Sequence, residues 1–229
     1  MEFDKVKEIK QKIEIIGNEL INCSHSCNDN NILCDIDDGH VPRCLFFEEL
    51  DRDINSRGIV VVGMNPGTLK ENEQNDYIEA LQSGKLDFDF LNSRFLNGGY
   101  KGVGNYYKPV RDFLKACALE GPILWSEVVH CSLKEGEKLN PKTISLCSGL
   151  YLARLISLIP KDLLVIGVVE MPFNTLKPMC KERKLIGFFH PAHFAKGYKK
   201  IHTRAKENSV EFVNTIEKLE VGQSMFWRC

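Results

Sequence analysis

Three sets of residues in this 229-residue chain are of types that do chemistry. The first is Gly63-Met64-Asn65-Pro66-Gly67, which follows the apolar run Gly58-Ile59-Val60-Val61-Val62. A glycine lets a ligand pass close to the backbone, and Pro66 stiffens the turn. The Asn65 amide offers two donors and an acceptor. The second is His190-Pro191, which closes the apolar run Leu185 to Phe189. A histidine there either donates from a neutral ring or, charged, stabilises an anion. The third is a set of nine cysteines, of which Cys23, Cys27, Cys34 and Cys44 are bunched near the start. The others are Cys117, Cys131, Cys147, Cys180 and Cys229. Where thiols stay reduced, bunched cysteines point to a metal or cluster before disulfides. Each set also has an ordinary structural reading: a turn, a capped histidine, reduced core thiols.

The elements that must hold these residues follow from the hydrophobic pattern. Val6, Ile9, Ile13, Ile16 and Leu20 recur at helical spacing and predict an amphipathic N-terminal helix. Residues 22 to about 43 lack periodicity and read as a loop. Gly58–Gly63, Ile123–Cys131, Leu163–Val169 and Leu185–Phe189 read as four buried strands. Thr68 to Gly104 reads as a long loop with one short helix around Tyr77–Gln82, and 105–119 as a helix. Asn140-Pro141 caps a helix whose face is Ile144, Cys147, Tyr151, Leu155 and Ile159, and Thr203 to Leu219 is a closing helix. Strands alternating with helices predict an α/β fold, a three-layer αβα sandwich around a central four-stranded parallel sheet. One domain over 1–229 is expected, with a Cys-rich segment at about 22–44. Ligands of such sheets lie beyond the carboxyl ends of the strands, where Gly63–Gly67, Ser126–Cys131 and His190–His193 fall.

Composition excludes several classes. With 43% hydrophobic and 27% charged residues the chain is neither disordered nor membrane-embedded. No apolar stretch approaches the roughly 18 residues of a membrane span. The N-terminus has no basic start followed by an apolar run, so an intracellular, cytoplasmic protein is expected. A net charge of -1 argues against a general electrostatic coat for DNA. Charge is nonetheless segregated. Residues 28–53 hold eight acidic side chains against Arg43 and Arg52, whereas 181–206 hold eight basic ones against Glu182. The second stretch is a candidate basic patch.

Taken together, Gly63-Met64-Asn65-Pro66-Gly67 and His190-Pro191, about 120 residues apart in one α/β pattern, resemble the two motifs of the uracil-DNA glycosylase superfamily. The middle of the chain is similar to that superfamily's iron–sulfur branch. There Val128-Val129-His130-Cys131 is followed by Leu139-Asn140-Pro141, Cys147, and Ile159-Pro160-Lys161. The resemblance covers about Gly58 to His193. It implies a DNA-repair glycosylase that hydrolyses the N-glycosidic bond of a flipped damaged or deaminated base, uracil or a relative. Asn65 would orient the attacking water, and His190 would donate to the base oxygen where charge gathers. Gly63 and Met64 would border the base, and Phe95 would stack on it, with Tyr100, Tyr106 and Tyr107 as competitors. Pro191, His193, Lys196, Lys199 and Lys200 would meet the DNA. A monomer bound to damaged DNA, with no membrane partner, is the expected assembly.

Two departures from the family pattern matter. The superfamily's second motif continues with serine where this chain has Ala192. The family's base-reading Asn is here Glu127, which when ionised only accepts hydrogen bonds. An ionised Glu127 would suit a base with an exocyclic amine better, and a protonated one would suit uracil, so a substrate other than plain uracil, or weak activity on uracil, is expected. The resemblance also implies a 4Fe-4S cluster on Cys131 and Cys147, with two further thiols from among Cys23, Cys27, Cys34 and Cys44, of which Cys34 and Cys44 stand nearer the first strand; the close CxxC pair of that branch is absent. The same ligands suit zinc. A catalytically inactive nucleic-acid-binding member of the fold, and an unrelated metal-binding α/β protein, are the alternatives.

Overall fold

A computed structural model describes residues 3–23, 31–43, 45–48, 58–97, 106–119, 121–189 and 201–227. Helix α1 (Phe3–Ile21) buries Ile13, Ile16 and Leu20, the apolar face that the spacing predicts. Strand β3 (Ile59–Gly63) is buried along its whole length, because Ile59 to Val62 carry no polar side chain for either face. It is the centre of a mixed, mostly parallel sheet with β2 (Phe46–Glu48), β4 (Ile123–Glu127), β6 (Leu164–Val168), β7 (Leu185–Phe188) and β8 (Ser224–Phe226). The order is β2-β4-β3-β6-β7-β8, and β2 alone is antiparallel to its neighbour. Strands β1 (Ile32–Leu33) and β5 (Ser132–Leu133) form a separate antiparallel pair.

The four strands read from the sequence are thus the middle of a six-stranded sheet. The two edge strands are three residues each, too short to show an alternation, and β8 is largely exposed. The second expected strand stops at Glu127 and not at Cys131, since Val128 and Val129 turn away to bond the chain leaving β3. The expected loop at 68–104 contains α2 (Glu71–Gln82) and α3 (Phe88–Leu96). Asp87 caps α3 by accepting from the Phe90 amide, a signal that the glycine-dotted surroundings obscured. Helix α4 (Tyr107–Ala116) precedes β4. After it come α5 (Pro141–Cys147), a π-helical turn over Ser148–Leu152, and α6 (Ala153–Leu158). A short α7 (Glu170–Leu176) and a long α8 (Ile201–Lys218) complete the described chain.

Edge strand β2 is fastened by a buried carboxylate. Glu48 accepts from Arg111 Nε at 2.7 Å through both oxygens and from Trp125 Nε1 at 2.9 Å. The Arg111 guanidinium also lies 5.1 Å from the Phe95 ring centroid and 5.4 Å from that of Trp125. These donors replace the water that Glu48 loses. On β6, Gly167 lets α7 sit directly on the sheet: a Cβ there would stand 2.7 Å from both the backbone N and Cα of Phe173. Gly167→Ala is therefore expected to force α7 outward and lower stability by about 1–3 kcal/mol, seen as a fall in urea midpoint with the slope unchanged.

Candidate functional site

The parallel strands emerge together at one end of the sheet. β4 lies on one side of β3 and β6 on the other, so the winding reverses at β3, the place where open α/β sheets leave a crevice. The 63–67 turn leaves β3 there. It is stitched to the chain leaving β4: the Val128 amide donates to Gly63 O and the Val129 amide to Met64 O, both at 3.0 Å. The Met64 side chain is exposed, and Asn65 is half-buried with its amide donating to Pro66 O at 2.9 Å. On the other side of the crevice Val169, just past β6, holds φ 72 and ψ 168. A β-branched residue in that conformation is strained by about 1–3 kcal/mol, and such strain gathers at functional sites.

Gly63 pairs with Glu127 across the sheet. A Cβ on Gly63 would stand 2.2 Å from Glu127 Oε2 and 2.6 Å from the Tyr106 hydroxyl, so only glycine leaves room for both groups. Glu127 is 4% exposed, and its Oε2 has no hydrogen-bond partner among the described residues. Burial pushes the carboxyl well above its ordinary 4.5, and the Arg43 guanidinium pulls it back in part. The protonated form carries an O–H donor and a carbonyl acceptor side by side. The acceptor-only character of an ionised Glu127 is therefore not what this environment favours.

Arg43 is the polar hub of the site, and the motifs in the sequence did not single it out. It is 4% exposed. Its Nη2 donates to Gly67 O at 2.5 Å and its Nη1 to Ser132 Oγ at 2.8 Å, while Ser132 Oγ donates to Gly67 O at 3.2 Å. Its Nε lies 3.9 Å from Glu73 of α2. Its backbone is held as well: the Arg43 amide donates to His130 O, and His130 Nδ1 donates to Arg43 O, both at 2.9 Å. Burial brings the His130 ring down to about 4, so at neutral pH it is an uncharged structural donor. The available signal was Arg43's place as one of two basic residues in the acidic stretch 28–53.

The aromatic residues divide. Phe95 is buried and stacked on Phe46, with centroids 4.3 Å apart and planes 3° from parallel. It meets Tyr107 edge-on at 5.1 Å. Tyr106, which is half-buried, packs edge-on against Tyr107 at 4.9 Å and places its hydroxyl over Gly63. The aromatic group beside Glu127 is thus one of the competitors, not Phe95 itself.

Two contacts involve thiols, and the His130 ring beside Cys131 lies 6.3 Å from that of Tyr151, which joins the second. Cys34 and Cys131 hydrogen-bond to each other beside the β1–β5 pair. Tyr151 hydrogen-bonds Cys23 and lies near Cys147. The first contact suits a shared thiophilic metal. Among the described residues, however, no three of His, Cys, Asp or Glu converge as a metal set. Cys44 lies outside the described residues, as do His190, Pro191, Ala192, His193, Lys196, Lys199 and Lys200. The strand that leads to His190, β7, runs parallel to β3 with β6 between them. No helix among the described residues is long and apolar enough to cross a membrane. No family model and no curated protein matches this chain.

A carboxyl that is neutral when folded and ionised when unfolded binds the extra proton in the folded state. Stability then falls as pH rises above 4.5 and levels off only beyond the raised folded value. Glu127→Gln is expected to remove this decline, so that urea midpoints of variant and parent separate progressively as pH rises above 4.5, the variant being the more stable.

Proposed function

We propose that this protein is a DNA-repair glycosylase that hydrolyses the N-glycosidic bond of a damaged or deaminated base drawn out of the duplex. The observation that carries the reading is the buried Glu127 carboxyl beside Gly63, whose Oε2 has no hydrogen-bond partner among the described residues, at the sheet end from which the Asn65 turn departs. A buried polar atom without a partner suits a ligand that supplies one. In this reading the αβα sandwich is the scaffold, and the crevice at β3 receives the base.

The chemistry needs three things. The departing base gathers negative charge, the sugar becomes cationic, and water must stand beside the sugar. Asn65 orients that water; as a weak base it positions and does not deprotonate. His190 donates to the base oxygen that gathers charge. Glu127 reads the base edge as a neutral acid, giving its O–H to a ring carbonyl and accepting the neighbouring ring N–H. That pairing is what an amide side chain would offer, so Glu127 in place of Asn is compatible with uracil. The aromatic group of Phe95, Tyr106 and Tyr107 supplies the stacking face, with Tyr106 over Gly63. Met64 borders the opening. Pro191, His193, Lys196, Lys199 and Lys200 meet the backbone of the DNA.

The cysteines are assigned to an iron–sulfur cluster held by Cys131 and Cys147 with Cys34 and Cys44; the Cys34–Cys131 contact favours it. Such a cluster supplies a structural and electrostatic centre, and the hydrolysis is carried by the protein's own side chains. The same thiols would bind zinc.

Single-turnover assays on oligonucleotides bearing uracil, hypoxanthine, xanthine or a thymine mismatch test the reading. At least one base should be released, with Asn65→Ala slower by on the order of 10²-fold. Release by the parent should decline as pH rises and Glu127 ionises, whereas Glu127→Gln should keep its rate on the alkaline side. Binding of the oligonucleotides with every base left intact would instead favour a nucleic-acid-binding member of the fold without catalysis, a reading that Ala192 suggests. For the cluster, anaerobically purified protein should contain iron and absorb in the visible, and Cys131→Ser should lose both. Zinc in place of iron would transfer the site to the other metal.

A further inference from the structure

We propose that Arg43 is a positioning residue that latches the Asn65 turn in its working place. The inference rests on the glycosylase reading of that turn. Gly67 ends the turn, and its carbonyl receives two hydrogen bonds, from Arg43 Nη2 at 2.5 Å and from Ser132 Oγ at 3.2 Å. Arg43 Nη1 donates to the same Ser132 hydroxyl at 2.8 Å, which closes a triangle of guanidinium, hydroxyl and carbonyl. Arg43 and Ser132 are 4% and 1% exposed, so the bond between them is buried while the Gly67 carbonyl they hold lies at the surface. The base of the latch is rigid, since the backbone of Arg43 is bonded in both directions to His130.

The geometry divides the turn between two anchors. Its start is fixed by the sheet, through Val128 and Val129 on Gly63 O and Met64 O. Its end is fixed by Arg43 and Ser132 on Gly67 O. Asn65 stands between them, and a half-buried amide that must place a water tolerates little drift. Arg43 also faces Glu127 by charge, so one guanidinium bears on the water-positioning group and on the base-reading group. Substrate does not need to touch Arg43. Loss of the latch should therefore slow the chemical step and leave DNA binding nearly intact.

The test uses Arg43→Met, Arg43→Lys and Ser132→Ala in the full chain, with single-turnover excision and oligonucleotide affinity measured side by side. Arg43→Met should reduce the excision rate on the order of 10²-fold while the Kd changes by less than about threefold. Arg43→Lys keeps the charge but not the fork, and should recover part of the rate. Ser132→Ala should fall between Arg43→Lys and the parent. Hydrogen exchange reads the latch without any activity: the Val129 amide, which donates to Met64 O of the turn, should exchange at least about tenfold faster in Arg43→Met while those of β6 stay protected. Parent-like excision by Arg43→Met, or a loss confined to Kd, would overturn the proposal. So would unchanged exchange at Val129. Should Arg43→Met fail to fold, Arg43→Lys and Ser132→Ala decide by the same readouts. A parent protein that excises no base would end the glycosylase reading, and the exchange data would still judge the latch.

Discussion

The carbonyl of Gly67, at the surface, is met by the buried guanidinium of Arg43, and the arrangement of the sheet's carboxyl end follows from that contact. A turn of five residues has few bonds of its own. Here it is held at one end by the strand it leaves and at the other by a side chain from a segment twenty-four positions earlier. The Ser132 hydroxyl and the Glu73 carboxylate share the same cation, so β5, α2 and the turn converge on one point. The charge is not fully neutralised by Glu73 at 3.9 Å. The residual field reaches Glu127, where it opposes the larger effect of burial. A guanidinium is suited to this task because its five donors lie in one plane and cannot be titrated away at any ordinary pH.

Much of the middle of the fold was legible because physics writes it plainly. A run such as Ile59 to Val62 has only one stable destination, a strand covered on both faces. The same holds for Leu164 to Val168. The edges were not legible for the converse reason. Phe46 to Glu48 is too short for a period, and Glu48 as a buried residue makes sense only once Arg111 and Trp125 are seen to bond it. Helix α3 was hidden in a polar, glycine-dotted stretch whose apolar residues find their partners on α1: Phe88 fits against Gly17 and donates its amide to Asn18 Oδ1.

The site was legible in its types more than in its geometry. Gly63 and Asn65 were recognised from their place after a strand, and Gly63 proves to need its missing side chain. Glu127 was found by position, but its charge state depends on burial, which no single residue reports. Arg43 and Ser132 carry no motif; their meaning comes from a contact spanning 89 positions. Phe95 was placed by analogy of position, whereas the hydroxyl over Gly63 belongs to Tyr106, just before the start of α4. Sequence patterns report periodicity and turns well because these are local. They report hydrogen bonds between distant segments poorly.

The strand order has a consequence for synthesis on the ribosome. From β3 onward each new parallel strand adds to an open edge of what is already paired: β4 on one side of β3, then β6, β7 and β8 outward on the other. No later strand has to push between two finished neighbours. The sheet is thus able to assemble in step with translation, and its most aggregation-prone intermediates are brief. Only β2 breaks the sequence, because it emerges before β3 yet pairs with β4 alone. The stretch just ahead of it carries Arg43, whose partner Ser132 is made almost ninety residues later. The sheet's early edge and the 63–67 turn therefore reach their final form together, once the ribosome has passed β5.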